Sequence, residues 1–292
     1  MKPAALIAVL ALAATSAHAQ LDFGRLLDSG KKVLDATQKA QEASKSFTVE
    51  QEVQLGEGIA AGLLGAMPLA QDDKLQRYVN RVGRWVALQS ERADLPWSFG
   101  VVQNESINAF AMPGGTILIT SGLVKRLNSE SELAGVLAHE IAHVVKKHQL
   151  QAIQSSANTE LLATVGKEVG GAAIARRGGD QFGLKSAAAN MGIDVIKNGV
   201  FLRPLDRGME YEADRAGMVL AARAGYDPYG LVSVLQMLQA NRGDDGSFSM
   251  FTTHPAPADR ISELEKLSPG MEKFAGQPQA EGRFRQNVPA PK

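Results

Sequence analysis

Apolar positions recur every three to four residues from 48 to 89, and the interval then falls to two. The first pattern predicts a helix from Thr48 to Gly65, broken by Pro68, and another from about Asp72 to Gln89. The second helix carries Leu75, Tyr78, Val79, Val82 and Val86 on one stripe. The alternating stretches Trp97–Val102, Asn108–Met112 and Thr116–Thr120 read as three strands, with Pro113-Gly114-Gly115 turning the last two into a hairpin. A helix then runs from Ser129 to Lys147, opened by the capping pattern Ser129…Glu132 and apolar on most of its surface. Further helices are expected from Arg207 to Arg223, after Asp227-Pro228, and from Ala256 to Lys266. The fold class is α+β, mostly helical, with a small antiparallel sheet beside the 129–147 helix.

Four segments divide the chain: residues 1–19, an amphipathic helix within 20–47, the main domain over 48–267, and a Pro/Gly/Gln-rich tail, 268–292, expected to be flexible. The Ala/Gly-rich stretch 155–203 is either a helical connection or a lid. Residues 1–19 carry one basic residue, a short apolar run and Ala17-His18-Ala19, the layout of a cleavable signal peptide. An uncleaved anchor is the competing reading. The expected location is periplasmic or otherwise exported, with no transmembrane segment in the mature chain.

Composition narrows the chemistry. Lys plus Arg and Asp plus Glu both number 31, without a basic run, which argues against a nucleic-acid partner. There is no cysteine, so any metal must be held by His and carboxylate, and lipid attachment through a cysteine is excluded.

The 129–147 helix contains His139-Glu140-Ile141-Ala142-His143. Residues four apart stand on one helix face, about 5–6 Å apart at Cβ, so both imidazoles can reach one zinc ion. Glu140 falls beside them, placed to act on water. The pattern arises by chance in about one chain in 200 of this composition, so a third ligand is required. Glu210 and Asp214 share a face of the 207–223 helix, suited to one carboxylate on the metal and one holding a liganding imidazole. Glu212 faces elsewhere. His148 lies nine residues after His139; on a continuous helix it points about 180° away and reads as a surface histidine.

The segments AFAMPGG…GLV, HEIAH, EYEADRAG, AGYDP and THPAPADRI, in this order between residues 48 and 266, resemble metallopeptidase family 48, in its compact periplasmic type. The resemblance implies a zincin-like (gluzincin) domain with one Zn²⁺ per chain, held by His139, His143 and Glu210. It gives Glu140 the role of general base and Asp214 that of a supporting carboxylate. Asn108, with Ala109, Phe110 and Ala111, would hold substrate backbone along a strand edge. His254 would either stabilise the oxyanion or fill the fourth metal position as a plug, and Arg260 would support its loop. The implied function is a zinc endopeptidase for unfolded or misassembled exported proteins, with outer-membrane assembly machinery as a partner. The alternative is a chaperone-like binding factor with a latent, plugged site. The chain departs from family members that carry a lipid-bearing cysteine, a C-terminal helical-repeat domain or transmembrane helices.

Overall fold

The structure, a computed structural model, describes residues 47–155, 204–240, 254, 256–274 and 276–289. The expected signal peptide, most of the helix expected over 20–47, and the 155–203 stretch beyond Ser155 lie outside the described residues.

Helix α1 (Val49–Ala66) starts at Thr48, whose side chain and that of Gln51 cap each other's backbone. Helix α2 (Asp73–Ala87) is capped by Asp72, whose carboxylate accepts from the Leu75 amide at 2.9 Å. Strands β1 (Ser98–Val102), β2 (Ala109–Ala111) and β3 (Thr116–Thr120) follow, with Pro113–Gly115 as a tight turn between β2 and β3. Gly114 there has φ +80°, and an added Cβ would lie 2.4 Å from Val53 Cα, so only glycine fits. Short helix α3 (Ser121–Arg126) leads into α4 (Glu130–Val145) and α5 (His148–Ser155). Beyond these come α6 (Arg207–Arg223), α7 (Gly230–Ala240), α8 (Pro257–Glu265), α9 (Ser268–Met271) and α10 (Glu281–Asn287).

The sheet has strand order β1-β3-β2. The hairpin β2–β3 is antiparallel, as expected, but β1 runs parallel to β3 with Ser98 opposite Thr116, so the sheet is mixed. Alternation along these strands sorts side chains between two apolar clusters. Phe99, Val101, Ala109, Ala111, Ile117 and Ile119 join the larger cluster with α2, α4 and α7. Val102, Phe110 and Leu118 join the smaller one with α1 and α5. The sheet is therefore a middle layer, with α4 packed on one face and α1 on the other.

Helix α4 is buried on nearly every side, which suits its lack of a polar face. Ser129 Oγ accepts from the Glu132 amide at 3.1 Å, whereas the Glu132 carboxylate reaches back to the Asn128 amide. At the other end, buried Glu52 of α1 binds Arg92 through both carboxylate oxygens, at 2.6 and 2.9 Å. Arg92 also donates to the Val144 carbonyl at 3.2 Å, so this pair ties α1 to the C-terminus of α4. Helix α6 crosses α4 where Gly217 meets His139: a Cβ on Gly217 would lie 2.9 Å from the His139 amide nitrogen. That close approach brings one face of α6, with Glu210 and Asp214, against the two histidines.

The tail after Ser268 is not the loose segment its composition suggests. It carries α9 and α10, buries Phe284 and Val288, and sets Phe284 edge-on to Tyr78 with ring centres 6.4 Å apart. Burying one such phenylalanine stabilises by about 1.5–3 kcal/mol, enough to offset the low apolar content around it. Arg283 of α10 and the Tyr78 hydroxyl donate to Glu130 Oε2 at 2.6 and 2.8 Å, and the Tyr226 hydroxyl donates to Oε1 at 2.7 Å. Burial acts to raise the Glu130 pKa, but Arg283 and the two tyrosines outweigh it and the net shift is downward. A depressed carboxylate stabilises the fold above its unfolded pKa, and that contribution fades as pH falls through the folded value. Replacing Glu130 by Gln is therefore expected to cost about 1–3 kcal/mol near neutral pH, with the gap to wild type narrowing below about pH 4.5. Urea unfolding of both proteins across that range checks this; a gap independent of pH contradicts it.

Candidate metal centre

Helices α4 and α6 and the segment before α8 converge on one point. His139, His143, Glu210 and His254 each offer a ligand atom, and these atoms lie within 4.8 Å of one another. The two histidines are one turn apart on α4, and their Nε2 atoms face each other at 3.0 Å. Glu210 Oε2 is 3.6 Å from His139 Nε2, and Glu210 Oε1 is 3.5 Å from His143 Nε2. All of these side chains are buried, His254 being the most accessible at 8%.

Polar contacts orient the two rings. His139 Nδ1 lies 2.9 Å from Asp214 Oδ1, and a carboxylate can only accept, so Nδ1 carries a proton and Nε2 is the atom turned to the centre. Burial works against ionisation of Asp214, yet Arg260 and His139 overcome it and hold this carboxyl well below the usual range. His143 Nδ1 likewise has a partner, His148 Nδ1 at 3.0 Å, which leaves its Nε2 facing inward. Glu140 Oε1 and Glu210 Oε1 are also buried without a hydrogen-bond partner. Inward-facing imidazole nitrogens and orphaned carboxylate oxygens fit a divalent metal, and the absence of sulfur ligands suits zinc in a His/His/Glu set.

Electrostatics follow burial and charge. Burial raises the Glu140 pKa, opposed by His139 and His254. Burial lowers the His143 pKa well below its ordinary value, with Glu210 pulling the other way. Glu210 is held well below the carboxylate range because His254 and His143 outweigh the cost of its burial. His254 Nδ1 sits 2.7 Å from Glu210 Oε2, and this contact with Glu210 more than offsets burial, raising the His254 pKa.

The structure brings His139, His143, Glu210 and His254 together, with the buried Glu140 on the same helix as the two histidines and Asp214 on the Nδ1 side of His139. Glu212 does face elsewhere, pairing with Lys146 at 2.9 Å. Asn108 is buried at the start of the edge strand β2, its Oδ1 accepting from the Ala109 amide at 2.8 Å. Ala109, Phe110 and Ala111 are buried as well.

Two residues differ from expectation. His148 is not a surface histidine: it is 1% exposed and packs against His143, ring centres 5.1 Å apart. The phase count fails because α4 ends at Val145 and Lys147 adopts φ +59°, so His148 begins a new helix with a new phase. Arg260 does more than support a loop. It grips Asp214 through Nε at 2.8 Å and Nη2 at 2.6 Å, and its Nη1 lies 3.7 Å from Glu210. A signal for it existed: Pro257, Arg260 and Leu264 form the buried stripe of α8, an arginine where an apolar residue is expected.

Two histidines one turn apart on one helix, a glutamate from a second helix and a buried glutamate beside the first histidine make up a metallopeptidase type of centre. The family model of peptidase family M48 matches residues 72–268, and the chain belongs to that family. It is 30% identical over 222 residues to the β-barrel assembly-enhancing protease of Escherichia coli (strain K12), covering 76% of this chain and 44% of that protein. The protein of the same name from Yersinia pestis is 31% identical over the same length. The mitochondrial metalloendopeptidase OMA1 of Schizosaccharomyces pombe is 30% identical over 196 residues, 66% of this chain and 52% of that one. The chain thus spans about half the length of these relatives.

Proposed function

We propose that this chain is a zinc-dependent endopeptidase that cleaves unfolded or misassembled exported proteins. One observation carries the reading: ligand atoms of His139, His143, Glu210 and His254 lie within 4.8 Å of one another, and Glu140 on the same helix as the first two has a buried Oε1 without a hydrogen-bond partner. His139, His143 and Glu210 would hold the zinc, with Asp214 and Arg260 fixing the His139 ring. Bound there, zinc supplies Lewis acidity to the scissile carbonyl and to the attacking water. Glu140 accepts the proton of that water and delivers it to the leaving amide nitrogen. The edge strand from Asn108 to Ala111 pairs with an extended peptide through its backbone, which favours unfolded chains and weak sequence preference.

Names of relatives support the wider setting. The bacterial ones are called β-barrel assembly-enhancing proteases, which makes outer-membrane assembly the partner class and the periplasm the location in this reading. The amino-terminal sequence fits export, and no helix among the described residues is long and apolar enough to cross a membrane.

Incubation with a reduced, alkylated protein and with its folded form tests the proposal. The unfolded form is expected to be cut, cutting to stop on chelation, and zinc to restore it. Cutting that survives chelation contradicts the reading.

A second reading, a binding factor whose protease site is latent, draws on the position of His254 among the ligands and on the burial of the whole centre. His254→Ala separates the two: a gain in cleavage identifies a plug, and a loss identifies an oxyanion-stabilising role.

A further inference from the structure

His139 has an evident support, the Asp214 carboxylate on its Nδ1. Among the described residues no carboxylate meets Nδ1 of His143. Its Nδ1 instead meets His148 Nδ1 at 3.0 Å, and the far nitrogen of His148, Nε2, lies 3.5 Å from Glu212 Oε2. Glu212 is held in turn by Lys146 Nζ at 2.9 Å, from the residue that caps α4. We infer that His148 is a positioning residue for the metal ligand His143, relaying the pull of the Glu212 carboxylate to it through a second imidazole.

The proton count along the chain is consistent. With His143 Nε2 turned to the metal, its Nδ1 is protonated and donates to the unprotonated Nδ1 of His148. His148 then carries its proton on Nε2 and donates to Glu212, an acceptor only. Each ring thus has one proton, and every donor has an acceptor. His148 is 1% exposed, so its ring has little freedom to leave. The left-handed turn at Lys147 aims it, since a continuous α4 would carry residue 148 to the opposite side. The two liganding histidines are therefore oriented differently: one directly by a buried carboxylate, the other through an imidazole by a carboxylate that is 45% exposed.

This inference rests on the assignment of His143 as a zinc ligand, and its test separates the two. Zinc affinity of the whole chain is measured by chelator competition for wild type, His148→Leu and His148→Gln, with unfolding in excess chelator as the measure of metal-free stability. Leucine fills the space without an acceptor, whereas glutamine offers an oxygen to His143 and an amide to Glu212. His148→Leu is expected to weaken zinc binding about 10–100-fold, the range for lost support of a liganding histidine. His148→Gln is expected to recover most of that loss. The nitrogen-15 spectrum of the zinc-loaded His143 ring should show a protonated Nδ1 in wild type and in His148→Gln. Equal zinc affinity in wild type and His148→Leu overturns the inference, as does a glutamine variant no better than leucine at matched metal-free stability. A wild-type chain that takes up no zinc overturns the ligand assignment itself, and the inference with it.

Discussion

Replacing Glu140 by glutamine is expected to lower cleavage of an unfolded substrate by about 10²–10⁴-fold while the zinc content stays at one per chain. The substitution is nearly isosteric, so the packing of α4, which is buried on almost all sides, is kept. What changes is the ability of residue 140 to take a proton from water. Glu140 Oε1 has no hydrogen-bond partner, so no structural bond is broken there by the exchange. Metal content and turnover should therefore separate, zinc unchanged and rate collapsed. Zinc lost together with activity would move Glu140 from the base role into the ligand set. Full activity with zinc present would remove it from the chemistry.

The second large effect falls on stability. Arg260→Leu is expected to cost about 3–5 kcal/mol in the metal-free protein, because it removes one partner of a buried ion pair and strands the other. Arg260 is 2% exposed and Asp214 is fully buried, with two bonds between them at 2.6 and 2.8 Å. Glu210, 3.7 Å from the same guanidinium, loses a counter-charge as well. A bound dication replaces part of that charge, so the deficit should shrink in zinc-loaded protein. Denaturant midpoints in chelator and in zinc check this directly. The double variant Asp214→Asn/Arg260→Leu should recover part of the loss, since the stranded charge is then gone. Equal deficits with and without zinc, and no recovery in the double variant, would mean that Arg260 acts through packing alone.

Much of the centre could be read from residue spacing. The helix phase places His139 and His143 on one face of α4 and Glu210 and Asp214 on one face of α6, and both helices end within a residue or two of their sequence signals. Four features escape it, each for a physical reason. The parallel pairing of β1 with β3 is a non-local contact, and alternation fixes which face a side chain takes but not its neighbour strand. The place of His148 is lost because a constant 100° per residue does not hold across Lys147, whose left-handed backbone resets the phase. The packed tail was hidden by composition, since docking depends on a few side chains, chiefly Phe284 and Arg283, among many polar ones. Arg260 was underestimated because its partner Asp214 is 46 residues away, a distance no local pattern spans.

The central claim is that His139, His143 and Glu210 hold one zinc ion. Zinc K-edge X-ray absorption on the zinc-loaded Glu140→Gln chain tests it most directly. One zinc per chain is expected in a nitrogen/oxygen shell at about 2.0–2.1 Å with at least two imidazoles, lost when His143 or Glu210 is replaced by alanine. A shell without imidazole, or one left unchanged by those replacements, would contradict it.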